Sequence, residues 1–160
     1  MSAVLGILIG VVVLVRVIGR QVTGSLVTQK SLVLMPVILL GLGVASLSSV
    51  VHTASTGELA FLALEAVVVL GFGLARGATV RLTRTDQGLY QKGTAATLVL
   101  WLLTIALRVG TSFAAAALWP GSAVSRAAIM LTIGITIGAQ NAMVYRRALA
   151  MNVPLATQSA

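Results

Sequence analysis

Five almost wholly apolar runs follow one another along this chain, at about residues 3–19, 31–51, 58–75, 94–118 and 122–148. Each is close to the ~20 residues that a helix needs to cross the hydrocarbon of a bilayer. Short polar links separate them. The expected fold class is therefore an all-α membrane protein: one domain over residues 1–160, a bundle of five transmembrane helices. Only 9% of its residues are charged and 58% are hydrophobic, against roughly 25% and 45–50% in ordinary soluble domains. Too few charges remain to cover a soluble surface.

The net charge is +8, which in a soluble chain would point to nucleic acid. Here the basic residues sit in the links, where the positive-inside rule places them, so no nucleic-acid partner is expected. There is no cysteine. That excludes disulfides, a CxxC redox centre, thiolate metal sites and covalent c-type haem attachment. The N-terminus lacks the positive start of a signal peptide: Met1-Ser2-Ala3 runs straight into apolar sequence, and Arg16 and Arg20 come after it. The first run reads as a retained helix.

Orientation follows from the same basic residues. With the N-terminus outside, the inner side receives Arg16, Arg20, Lys30, Arg76, Arg81, Arg84, Lys92, Arg146 and Arg147, and the outer side only Arg126. This N-out, C-in topology is the expected one. The inner residues Arg76, Arg81, Arg84, Lys92, Arg146 and Arg147 make a basic surface suited to anionic lipid headgroups. The longest link, 76–93, is not structureless. Residues 79–85 alternate apolar and polar, Asp86-Gln87-Gly88 is a turn signal, and Leu89-Tyr90-Gln91-Lys92 follows. Such a pattern predicts a short inner β-hairpin, favoured over an amphipathic helix by the β-branched residues and Gly88. Trp119-Pro120-Gly121 marks the outer turn before the last run, and Trp119 suits an interfacial anchor.

Ionisable residues inside the hydrocarbon are costly and face a bundle interior or a wet cavity. Two stand out, Glu65 and Arg108. Glu65 lies about 10 Å below Glu58, and Arg108 about 16 Å below Trp119, at 1.5 Å per residue. An arginine side chain spans the difference, so an intramembrane ion pair between them is expected. It serves either as an architectural lock or as an anion or proton site. Nearer the inner face, Arg16, Gln140 and Asn141 share a depth and suit inter-helix polar contacts. Gly6 and Gly10, and Gly134 and Gly138, form GxxxG spacings that let helices approach, within one chain or in a homodimer. Gly41 with Gly43 and Gly71 with Gly73 add flat surfaces.

No nucleophile–base pair, carboxylate pair, phosphate loop or metal-ligand cluster is visible, and three acidic residues with one histidine leave little acid–base machinery. The chain is read as non-enzymatic, with no catalytic residues, no metal and no cofactor. His52, at the outer end of the second run, reads as a solvated loop residue.

Three stretches carry a family resemblance. Lys30 is followed by Pro36 at the start of the second run. Asp86-Gln87-Gly88-Leu89-Tyr90-Gln91-Lys92 leads into an apolar run containing Arg108. Ala142-Met143-Val144-Tyr145-Arg146-Arg147 closes the last run. In this order they resemble the CcdC-like family of small bacterial membrane proteins, over roughly residues 28–148. The family's name comes from cytochrome c biogenesis loci, and its biochemical role is unassigned. The resemblance implies a multi-pass protein of the bacterial plasma membrane. It does not imply cytochrome assembly here, because the chain has no CxxC and no haem-ligand set. Three functional readings remain. The first is a non-enzymatic accessory or assembly protein with a partner membrane protein. The second is a small carrier or channel subunit using Glu65 and Arg108, and the third a haem- or ligand-binding sensor using His52.

Overall fold

The computed structural model describes residue 19, residues 23–86 and residues 88–151. The first apolar run therefore lies outside the described residues except for Gly19, and with it Gly6, Gly10 and Arg16; so does Arg20. Four helices dominate what is described: α1 (Gln29–Ser48), α2 (Thr56–Thr79), α3 (Ala95–Leu118) and, after the single turn α4 (Val124–Ala127), α5 (Ile129–Ala150). Among the described residues, three stretches are long and apolar enough to cross a membrane: α2, α3 and Val124–Ala150. At 24 residues, α2 and α3 are each about 36 Å long. The apolar part of α1, Leu32–Ser48, is shorter than these three.

The helices pack in the order α1–α5–α2–α3, with α5 between α1 and α2. Small residues bring them together. A Cβ on Gly73 would lie 2.4 Å from the Thr136 carbonyl oxygen, and one on Gly77 2.6 Å from that of Gln140. This four-residue spacing joins α2 to α5 in parallel. Across α5, Gly43 meets the backbone of Leu131 and Gly134 that of Leu40, so α1 runs antiparallel to it. Gly138 makes only an ordinary contact with Pro36, and Gly41 and Gly71 face open space. Gly73 and Gly77 thus let α2 and α5 approach backbone to backbone.

The bundle is apolar outside, and polar side chains lie among the apolar ones inside it. Val67 and Phe113 are 65% and 71% exposed, while Glu65, Thr97, Thr104, Thr132, Thr136 and Gln140 are buried. Exposed apolar surface on this scale demands an apolar solvent. Buried hydroxyls are served locally: Thr104 Oγ1 donates to the Leu100 carbonyl and Thr132 Oγ1 to that of Ala128. This is the organisation of a helical membrane protein.

Helix starts are set by side chains. Ser55 and Glu58 form a capping box at α2, and Thr94 and Thr97 form one at α3. Thr79 joins the second box, with its hydroxyl 3.1 Å from that of Thr97. The end of α2 is thereby tied to the start of α3.

At that end lies a three-stranded antiparallel sheet of β1 (Ser25–Leu26), β2 (Arg81–Thr85) and β3 (Gly88–Lys92), in the order β1-β3-β2. The hairpin closes with Thr85 opposite Gly88. Gly88 has φ 119°, a conformation that only glycine adopts freely. The strand β1 was not expected from sequence. Leu89 and Val27 are fully buried, and with Val80 they pack beneath Leu32, Val144 and Ala148. The sheet is thus anchored to the ends of α1, α2 and α5.

Candidate functional site

The inward stripe of α2 reads Glu58, Glu65, Val69, Gly73, Arg76, Gly77, and that of α3 reads Thr97, Trp101, Thr104, Ala115. Apart from the adjacent Arg76 and Gly77, these steps are three, four or sums of the two, which place one line of each helix against its neighbours. Glu65 and Arg108 meet there. Arg108 Nη1 donates to Glu65 Oε1 at 2.6 Å, with the Arg108 side chain 16% exposed and that of Glu65 3%. Thr111 Oγ1 donates to the same carboxylate oxygen at 3.0 Å. Arg108 Nη2 reaches the Ser125 carbonyl oxygen at 2.5 Å, and Ser112 Oγ donates to the Arg108 carbonyl at 2.8 Å. One guanidinium therefore ties α2, α3 and the turn α4 together. It is the one ion pair among the described residues. Glu65 is buried and Arg108 is partly buried, and the Arg108 Nε has no hydrogen-bond partner among the described residues.

Toward the helix ends beyond this clamp lies a cleft of about 270 Å³. Its polar lining is Glu58, Ser112, Ser122, Ser125 and Arg126; Trp119, Ala115, Ala116 and Ile129 supply the apolar part. Ser112 and Ser125 belong to both the cleft and the clamp. Trp119 is fixed by Phe61, whose ring lies 5.7 Å away and tilted.

Arg76 departs from expectation. The positive-inside count placed it on the inner basic surface, but it is 0% exposed. Its Nη2 donates to Thr136 Oγ1 at 2.6 Å, and its guanidinium carbon stands 3.9 Å over the Trp101 ring. The reason is the Gly73–Gly77 contact: α5 comes so close to α2 there that the last turn of α2 is enclosed. Among the described residues no carboxylate pairs with Arg76, and its Nε and Nη1 and the Trp101 Nε1 have no hydrogen-bond partner. A ring face compensates part of such a charge.

The other basic residues divide. Arg81, Arg84, Lys92 and Arg146 are exposed, and Arg84 Nη2 donates to the Met151 carbonyl. Arg147 is half-buried instead of lying free on that surface. Its Nη1 donates to the Gly77 and Val80 carbonyls, both at 2.7 Å, and so completes the end of α2.

Gln140 is buried beside α2, and its Oε1 has no hydrogen-bond partner among the described residues. Asn141 has a defined task. Pro36 lacks an N–H, so the carbonyl four residues earlier, on Leu32, has no partner within α1. Asn141 Nδ2 donates to that oxygen at 2.8 Å. The sequence marks both residues but not their connection. His52 lies exposed in the turn Val51–Thr53. No group of three or more potential metal ligands occurs among the described residues.

No family model, curated protein or solved structure matches this chain, and nothing in these comparisons identifies the CcdC-like family.

Proposed function

We propose that this is a multi-pass protein of the bacterial plasma membrane with a non-enzymatic accessory or assembly role. It has five spans, with the N-terminus outside and the sheet inside. The observation that carries the role is the closed clamp. Glu65 and Arg108 neutralise each other, Thr111 and the Ser125 carbonyl use further hydrogen-bonding capacity, and neither charged residue lines the neighbouring cleft. A carrier site would need its charges reachable from one side. The orientation is supported by Arg81, Arg84, Lys92 and Arg146, all exposed at the sheet end, where they suit anionic headgroups or an acidic face of a partner membrane protein.

The test is flux. Purified protein in liposomes is expected to pass neither protons nor chloride above the rate of protein-free vesicles. A flux above that level that disappears in Glu65→Gln or Arg108→Gln would replace the accessory reading with a carrier.

A further inference from the structure

Glu58 and Arg126 face the same cleft but form no ion pair. Two opposite charges bordering so small a space would ordinarily close on each other. Glu58 is held back by its own helix: its Oε2 accepts the Ser55 N–H at 2.9 Å, as the capping box requires. Glu58 as a residue is largely covered, whereas Arg126 is exposed at the cleft's edge and makes no ion pair among the described residues. The cleft thus presents a fixed anion, a separate cation and the serines Ser112, Ser122 and Ser125 between apolar walls.

We infer that this cleft binds the zwitterionic headgroup of a phospholipid, of the phosphatidylethanolamine type. The ammonium would pair with Glu58, the phosphate diester with Arg126, and the Ser125 hydroxyl would serve a remaining phosphate oxygen, since Ser112 Oγ already donates to the Arg108 carbonyl. Size supports a headgroup over a whole lipid. About 270 Å³ is at the small end of ligand pockets. The acyl chains would lie outside it, against the exposed apolar side chains of α3, among them Phe113 and Leu118. Position supports a lipid over a soluble zwitterion. The cleft lies at the helix ends beside Trp119, a residue type that marks the membrane–water interface. Phosphatidylglycerol would satisfy Arg126 but set a neutral headgroup glycerol, with no cation, against the Glu58 carboxylate.

The inference rests on the membrane-spanning reading, and one preparation separates the two. Protein purified in mild detergent is titrated with phosphatidylethanolamine, phosphatidylglycerol and soluble phosphoethanolamine, and bound species are counted by native mass spectrometry. One phosphatidylethanolamine per chain is expected, held about tenfold more tightly than either other ligand, the scale of one charge-assisted hydrogen bond. Two variants keep the fold. Glu58→Gln preserves the capping box, which accepts Gln at that position, and Arg126→Gln alters an exposed side chain. Glu58→Gln is expected to abolish the preference for phosphatidylethanolamine over phosphatidylglycerol. Arg126→Gln is expected to weaken both lipids about tenfold. Equal binding of the two lipids by the unaltered protein, equal binding of phosphoethanolamine, or no change in either variant would overturn the headgroup site. A chain that stays soluble without detergent would instead overturn the spanning reading beneath it.

Discussion

Removing the Glu65–Arg108 clamp one end at a time should produce unequal damage. Breaking a buried pair by removing one partner costs about 3–5 kcal/mol, because the other charge is stranded. The two stranded charges are not equivalent. A lone carboxylate can neutralise itself by taking a proton, whereas a guanidinium cannot. Glu65→Leu leaves Arg108 with only the Ser125 carbonyl at 2.5 Å and should fall at the upper end of that range. Arg108→Leu leaves Glu65 with the Thr111 hydroxyl at 3.0 Å and should fall at or below the lower end. The double variant strands no charge. It loses the Ser125 contact and part of the Thr111 contact, about 1–2 kcal/mol together. The double variant should therefore be more stable than either single one, with a coupling of several kcal/mol. Equilibrium unfolding in mixed micelles, followed by helical circular dichroism, measures all four proteins. A double variant as unstable as the sum of the single ones would refute the lock. So would Arg108→Leu proving the more damaging change.

Other consequences follow from single contacts. Asn141→Leu should cost about 1–2 kcal/mol by orphaning the Leu32 carbonyl, and Pro36→Ala, which returns an N–H to α1, should remove most of that cost; thermal melts in detergent of the three variants test this. Gly73→Leu and Gly77→Leu should force α2 and α5 apart and lower the melting temperature by many degrees, while Gly71→Leu, facing open space, should leave it unchanged. Arg76→Met keeps an aliphatic stem over Trp101 and removes an uncompensated charge, so its stability should equal or exceed that of the parent. A loss of more than about 2 kcal/mol would mean that Arg76 holds a counter-charge that this chain does not supply.

How much of this was legible in the sequence depends on how local each signal is. The meeting of Glu65 and Arg108 needs only the rise of a helix and two turns to count from. The hairpin needs only alternation and Gly88. Both are properties of short stretches. The enclosure of Arg76 is not: a basic residue at the end of an apolar run reads as interfacial, and only the approach of α5 over Gly73 and Gly77 encloses it. The strand β1 is two residues long, too short to carry a periodicity, and exists because β3 offers it an edge. Leu32, Pro36 and Asn141 are linked across more than a hundred positions, through a carbonyl that no side-chain pattern records. The capping box of α2 is legible as Ser55-x-x-Glu58, whereas that of α3, Thr94-x-x-Thr97, lacks the Glu or Gln that marks the pattern.

The central claim is that α2 and its neighbours cross a bilayer with the sheet on the inner side. Because the chain has no cysteine, single cysteines report without background. Thr53→Cys and Asp86→Cys are exposed at opposite ends of α2, and Val67→Cys lies on its outward apolar face. A membrane-impermeant maleimide applied to intact cells should label Thr53→Cys, should label Asp86→Cys only after permeabilisation, and should fail to label Val67→Cys in either case. Labelling of Thr53→Cys and Asp86→Cys from the same side, or ready aqueous labelling of Val67→Cys, would contradict the account.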